Sequence, residues 1–185
     1  MSHVNLNILY DCEFSVPEDA NGNEIRNLNG WQTIDSQMSS YNLRTKFENQ
    51  KVVMFSVIGT FRDPVKINEF NNNVQAFTDA GVDRIICHVV ADPFQTYAWA
   101  AHLNVPNIEF IADGNGYLAT RLGMRFDSVT DGDGMRCWQY ASVIENGAVT
   151  FWHQEANIPI DDNENINPEL YETTTPAHVL EYLQQ

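Results

Sequence analysis

Positive charge is scarce in this sequence. Its 185 residues include 10 lysines and arginines against 25 aspartates and glutamates, which gives a formal net charge of −15. Lysine is the rarer cation and occurs only as Lys46, Lys51 and Lys66. A surface this acidic repels phosphate backbones and anionic lipid headgroups. We therefore expect neither nucleic acid nor a membrane surface among the partners of this chain.

Long apolar runs are also missing. No stretch approaches the roughly 18 apolar residues that a transmembrane helix needs. The first residues, MSHVNLNILYDCEF, lack the basic region and the apolar stretch of a signal peptide. The sequence thus predicts an intracellular location, in the cytoplasm or within an assembled particle.

Cysteine is the third scarce residue. Cys12, Cys87 and Cys137 are odd in number and form no CxxC pair or other metal-ligand spacing. The five histidines show no ligand spacing either. We therefore expect reduced thiols, no metal and no cofactor.

The middle of the chain alternates strand and helix signals. KVVMFSVIG (51–59) is a nearly continuous apolar run with β-branched residues, typical of a strand that is covered on both faces. Asp63 and Pro64 then predict an N-cap and a first helical position, and Gly81 marks the end of that helix. A second strand and helix (VDRIICHVVAD, PFQTYAWAAHLN), a third strand (NIEFIADGNG) and a short helix (YLATRLGM) follow.

Hairpin signals stand at both ends of the chain. Residues 1–30 predict an N-terminal hairpin extension with its bend at ANGN, and SQMSSYNLRTKF (36–47) predicts a short helical turn. MRCWQYASVIENGAVTFWHQE (135–155) predicts a hairpin turning at Asn146-Gly147. TPAHVLEYLQQ predicts a final helix.

The order of these elements predicts one α/β domain over 1–185. It contains two parallel βα units, an antiparallel hairpin and a closing helix, which is typical of a thioredoxin-like fold whose central mixed sheet is flanked by helices.

Several segments, taken in order, resemble one family. FSVIGTF, GVDRIICHVVADPFQTYAW, FIADGNGYLATRLGM, RCWQYASVIENG and YETTTPAHVLEYL are similar to the type-five peroxiredoxins of the redoxin group, and to the peroxiredoxin part of peroxiredoxin–glutaredoxin fusions. The resemblance covers about residues 31–185. It implies a thioredoxin-like fold of peroxiredoxin type and, in the family, a thiol-dependent peroxidase.

The same resemblance shows four departures in the family's active site. When the family's PGAFTPTC is placed on IGTFRDPV, Ile58 replaces the shielding proline, Arg62 replaces the threonine and Val65 replaces the reactive cysteine. Gln139 replaces the pocket arginine. Our leading hypothesis is therefore a non-catalytic homologue that serves as a structural or protein-interaction module, as a homodimer or in a larger assembly such as a virion.

Two alternatives stay open. In the first, a peroxidase uses relocated thiol chemistry at Cys137, two residues before Gln139. In the second, Arg62 and Arg136 bind a small anion beside the N-terminus of the helix. The resemblance also proposes Phe61, Phe94 and Trp99 as dimer-interface residues, although packing in the core would explain them equally well.

Overall fold

The computed structural model describes residues 13–18, 37–62, 64–128, 132–156 and 170–185. The strands are β1 (Glu13–Glu18), β2 (Gln37–Asn42), β3 (Lys51–Ser56), β4 (Arg84–Val89), β5 (Glu109–Ala112), β6 (Arg125–Ser128), β7 (Gly134–Cys137), β8 (Tyr140–Glu145) and β9 (Ala148–Gln154). The helices are α1 (Arg44–Phe47), α2 (Val65–Asn72), α3 (Val74–Asp79), α4 (Pro93–Leu103), α5 (Tyr117–Arg121) and α6 (Pro176–Leu183).

A five-stranded sheet forms the centre of the protein, in the order β5-β4-β3-β8-β9. β3 pairs with β4 and β4 with β5 in parallel, whereas β8 pairs antiparallel with both β3 and β9. This mixed sheet, with helices packed against it, is the thioredoxin-like arrangement that the order of elements predicts. The predicted fold class is confirmed.

Strand β3 separates two apolar cores. Val52 and Met54 belong to one cluster of buried side chains, whereas Val53 and Phe55 belong to the other. Successive side chains of a strand point to opposite faces, so a run that is apolar at every position is buried on both. Full burial of each such side chain contributes about 1.5–3 kcal/mol, which fixes the register of the strand.

The predicted turn of the second hairpin is confirmed. Asn146 and Gly147 join β8 to β9 with φ angles of 47° and 81°. Both angles lie in the left-handed region that a two-residue type I′ turn requires. The Asn146 side chain also accepts a hydrogen bond of 2.9 Å from the Asn49 amide.

Three local predictions were wrong. Residues 37–42 form strand β2, which pairs with β1, and only Arg44–Phe47 are helical in the segment predicted as a helical turn. The predicted bend at ANGN lies outside the described residues, as does the predicted N-cap Asp63. The long helix is interrupted at Asn73, whose side chain donates to the Glu69 carbonyl at 2.8 Å.

The second hairpin begins later than predicted. Met135, Arg136 and Cys137 belong instead to β7, which pairs with β6 in a separate two-stranded sheet. β8 begins only at Tyr140.

None of the helices in the described parts of the chain has the length and apolar character needed to cross a bilayer.

Candidate functional site

The junction between β3 and α2 carries three of the residues singled out from the sequence. Ile58 is buried in the core at 6% exposure, and Val65 is the first residue of α2 and 48% exposed. Between them, Phe61 adopts a φ of 57°, which is unusual for a bulky residue. The first residue of α2 is thus a valine that is half exposed to solvent.

The two arginines proposed for anion binding do come together. The Arg62 guanidinium donates to the Asp133 carboxylate, and Arg136 Nη2 lies 3.6 Å from the other oxygen of that carboxylate. Gly59 makes room for this arrangement, because a Cβ at position 59 would lie 3.3 Å from Arg136 Nε. A carboxylate already stands between the arginines, so anion binding here would have to compete with an ion pair.

Gln139 contacts a buried lysine that the sequence analysis did not single out. Lys66 is only 3% exposed, and its Nζ donates to Thr174 Oγ1 at 2.7 Å, to Gln139 Oε1 at 3.3 Å and to the Tyr140 carbonyl at 3.4 Å. Burial lowers the pKa of Lys66 to about 7, although the carboxylate of Glu155 opposes that shift. The Gln139 amide is thus one of the groups that hold the buried amine of Lys66.

A second group of polar side chains is enclosed on the other face of the sheet. Cys137, His88 and Asp113 are buried, and Cys137 Sγ lies 3.7 Å from His88 Nδ1. His88 Nε2 lies 3.2 Å from Asp113 Oδ2, and the Tyr140 hydroxyl lies 3.0 Å from Nδ1. Together these contacts form a thiol–imidazole–carboxylate series, which we call the thiol cluster (Cys137, His88, Asp113 and Tyr140).

The topology of the sheet assembles the thiol cluster. His88 lies near the carboxyl end of β4, and Asp113 directly follows the parallel neighbour β5. The carboxyl ends of parallel strands meet at one edge of a sheet. Asp113 is held there because its Oδ2 also accepts a hydrogen bond of 2.9 Å from the Ala119 amide. Cys137 arrives from a different sheet, at the end of β7.

Electrostatics favour a positive charge on the imidazole. Burial lowers the pKa of His88, but negative charge on Cys137 and the hydrogen bond to Asp113 outweigh burial and raise that pKa to about 10. Burial raises the pKa of Asp113, yet the His88 hydrogen bond and charge reverse the effect and lower it overall. Burial raises the pKa of Tyr140 well above its usual value, so the phenol stays protonated. A buried imidazolium between a carboxylate and a thiol can stabilise a thiolate.

The other described cysteine has no such setting. Cys87 is adjacent to His88 in β4 and therefore points to the opposite face, into the core beneath α2. Burial raises its pKa, with partial opposition from Lys66, so it remains a neutral thiol. In the described ranges no group of His, Cys, Asp and Glu is arranged to hold a metal ion.

The proposed interface residues separate into two kinds. Phe61 and Phe94 are 60% and 52% exposed, whereas Trp99 is only 1% exposed. The Trp99 ring packs inside the core against Phe110 and contacts Phe61 from beneath, with ring centroids 6.3 Å apart. Trp99 is therefore a core residue of the protomer, and the interface prediction now depends on the two phenylalanines.

Sequence reasoning missed most of the thiol cluster and the lysine site. It treated His88 only as one of five histidines without ligand spacing, and it assigned no role to Lys66, Asp113 or Glu155. The available signal was that both parallel strands end in polar residues, in CHVVAD and FIADG. No spacing in the sequence linked either strand to Cys137.

The sequence matches the Redoxin family over residues 20–170. The chain belongs to the peroxiredoxin family. A peroxiredoxin of Rhizobium etli is 30% identical over 141 residues, which span 75% of this chain and 76% of the relative.

Solved peroxiredoxin structures have the same fold. An X-ray structure of a peroxiredoxin superimposes with a TM-score of 0.79 over 100% of this chain and 99% of the other, at 21% identity. Reduced Prx3 from Vibrio vulnificus, solved in complex with hydrogen peroxide, gives a TM-score of 0.71 at 25% identity over 93% and 91% of the two chains. The thioredoxin-like fold of peroxiredoxin type is thus shown by both sequence and structure.

Proposed function

We propose that this peroxiredoxin-family chain is a thiol-dependent peroxidase whose reactive thiol is Cys137. The observation that carries the proposal is the 3.7 Å approach of Cys137 Sγ to His88 Nδ1, with Asp113 on the other ring nitrogen at 3.2 Å. A cysteine becomes a nucleophile as its thiolate, and a neighbouring imidazolium favours that form. The Redoxin match and the peroxiredoxin relatives support a hydroperoxide as the oxidant.

Each group has a defined part in the proposed reaction. The Cys137 thiolate attacks one oxygen of the hydroperoxide, the O–O bond breaks, and the sulfur becomes a sulfenic acid. His88 gives its proton to the departing oxygen, which leaves as water or an alcohol. Asp113 keeps the imidazole oriented and positively charged. Two molecules of a small thiol then reduce the sulfenic acid, forming a disulfide and water and restoring Cys137.

Burial sets the rate of this reaction. Cys137 is 0% exposed, so a hydroperoxide reaches it only when the surrounding structure opens. Among the described strands β6 and β7 pair with each other and not with the central sheet, so they can move away from it without breaking its strand pairing. We therefore expect slow oxidation that is limited by opening rather than by chemistry.

A second candidate is the non-catalytic module. Two observations support it: Val65, which the resemblance aligns with the family's reactive cysteine, is half exposed, and Arg62 pairs with Asp133. In this function the scaffold supplies a surface for self-association or for a larger assembly. The buried thiol cluster then serves only to stabilise the core.

Peroxide consumption separates the two candidates. The wild type, Cys137→Ser and the double variant Cys12→Ser/Cys87→Ser are given hydrogen peroxide and dithiothreitol, and sulfenic acid is trapped with dimedone and located by mass spectrometry. Peroxidase function at Cys137 predicts turnover and a Cys137 adduct in the wild type and in the double variant, and neither in Cys137→Ser. Equal peroxide loss in all three proteins and in buffer would leave the non-catalytic module as the better description.

A further inference from the structure

Residues 170–175, which we call the strap, cross the protein surface just before α6 and are bound along their length. The buried carboxylate of Glu155 accepts hydrogen bonds from the amides of Glu172 at 3.0 Å, Thr173 at 3.0 Å and Thr174 at 2.8 Å. These amide bonds lower the pKa of Glu155 although burial raises it, so the group is a carboxylate at neutral pH. Glu155, which directly follows β9, therefore anchors the strap.

Both ends of the strap have further contacts. Gln139 Nε2 donates to the Leu170 carbonyl at 2.8 Å, and the Tyr171 hydroxyl donates to Glu69 of α2 at 2.6 Å. At the other end Thr175 is the N-cap of α6. These bonds join the strap to α2 and to the segment between β7 and β8.

The Lys66 amine lies beneath the strap. Its Nζ donates to Thr174 Oγ1 and lies 5.5 Å from the centre of the Tyr171 ring. The Thr174 hydroxyl donates its hydrogen to Glu155 Oε1 at 2.8 Å. Thr174 Oγ1 can therefore only accept a hydrogen bond from Lys66. Gln139 Oε1 and the Tyr140 carbonyl also accept, so three acceptors face a group that carries three hydrogens when protonated.

Lifting the strap would expose this amine to water. Thr174 and Tyr171 both leave with the strap, and water replaces them. An ammonium gains far more from hydration than a neutral amine does. Opening and protonation are therefore coupled.

We propose that the strap is a proton-released lid, which opens more readily when Lys66 binds a proton. The proposal concerns access to the interior beside Gln139, and it holds whether or not Cys137 is a peroxidase. The titratable side chains of the described elements whose charge acts on Lys66 are Glu155 after β9, Cys87 of β4 and Cys137 of β7, and the Tyr171 ring of the strap lies beside the amine. Glu155 is the anchor of the strap and stays ionised, while Cys87 stays neutral because burial raises its pKa.

The direction of the effect follows from proton linkage. Under the closed strap the pKa of Lys66 is about 7, whereas in water a lysine has a pKa of about 10.4. The open state therefore binds the proton more tightly, and acidification favours opening until both states are protonated. When the pH falls from 8 to 6, the equilibrium constant for opening increases about tenfold, and it changes little at lower pH.

Hydrogen exchange on the full chain tests the lid. Protection factors of the Glu172, Thr173 and Thr174 amides are measured at pH 8 and pH 6, with labelling times corrected for the intrinsic rate. We expect them to fall about tenfold on acidification in the wild type. Lys66→Met replaces the amine with an apolar side chain of similar length and should abolish this change. Lys46→Met is the matched control, because it removes a lysine that pairs with Glu109, and it should keep the change.

Two results would overturn the proposal. One is protection that is equal within twofold at the two pH values in the wild type, and the other is an equal fall in wild type and Lys66→Met. If Lys66→Met does not fold, the wild type alone decides the matter through the ¹³Cε resonance of Lys66. Its titration midpoint must lie in the pH range where strap protection changes, and a midpoint near 10 would exclude a proton-released lid.

Discussion

Cys137 Sγ lies 3.7 Å from His88 Nδ1, although 49 residues separate the two in the chain. His88 comes from the central sheet and Cys137 from the small β6–β7 sheet. Their meeting gives this peroxiredoxin-family chain a thiol beside an imidazole at a place other than the first residue of α2.

Replacing His88 should slow the oxidation of Cys137. His88→Gln keeps a polar side chain but removes the positive charge and the proton donor, so we expect the rate of peroxide-dependent dimedone labelling at Cys137 to fall by about 10²-fold. His102→Gln, on the exposed face of α4, is the control and should react like the wild type. A His88→Gln variant that is folded and equally reactive would remove the imidazole from the mechanism.

Stability should depend on pH through two opposing groups. The raised pKa of His88 contributes stability below about pH 6.5, and this contribution is lost as the pH rises toward 10. The lowered pKa of Lys66 acts in the opposite direction, because a buried neutral amine gains stability relative to the unfolded chain between about pH 7 and 10.4.

The two contributions can be separated by substitution. In Lys66→Met the His88 effect remains, so the free energy of unfolding should fall between pH 6.5 and 8. In His88→Gln the Lys66 effect remains, so the free energy of unfolding should rise over the same interval, which lies below the pKa of about 8.5 at which the Cys87 thiol ionises in the unfolded chain. Urea unfolding followed by far-UV circular dichroism measures both slopes, and slopes of the same sign would contradict the assigned pKa directions.

The exposed phenylalanines should govern self-association. We expect Phe61→Asp and Phe94→Asp to shift a dimer toward monomer in sedimentation velocity, because a charge would replace a large apolar side chain at the contact. Tyr117→Asp is the matched control, since Tyr117 is similarly exposed at 62% but lies on α5. Equal sedimentation of all three variants and the wild type would rule out this surface as the interface.

A cysteine at position 65 should be reactive without help from the rest of the family's site. Val65 is half-exposed at the N-terminus of α2, where the helix dipole lowers the pKa of a thiol. In a Val65→Cys/Cys12→Ser variant, iodoacetamide should therefore alkylate the cysteine introduced at position 65 much faster than the buried Cys137 of the same protein. Alkylation at position 65 no faster than at Cys137 would show that the junction is closed in solution.

Restoring the family's arginine should be harder. Gln139→Arg would place a guanidinium beside the buried Lys66, which Gln139 contacts at 3.3 Å. Two like charges in a buried site repel, so we expect a loss of about 1–3 kcal/mol in unfolding free energy. Adding Lys66→Ser should recover most of this loss, and its failure to do so would show that space rather than charge opposes the arginine.

Much of the fold could be predicted because its signals are local. The apolar run of β3, the Asn146-Gly147 turn and the proline and threonine that begin α6 each act over a few residues. The failures are long-range. Strand β2 is polar and forms because β1 pairs with it, and β6–β7 is a second small sheet that no local pattern marked.

The sequence by itself determined the family and the order of the central elements, because these depend on which residues follow one another. Only the tertiary structure decided which polar groups meet. It enclosed Lys66 beneath residues 170–175, paired Arg62 with Asp133, and brought Cys137 to His88 and Asp113 from separate sheets. The physical reason is that pKa shifts and ion pairs depend on burial and on distances of a few ångströms, and neither is set by separation along the chain.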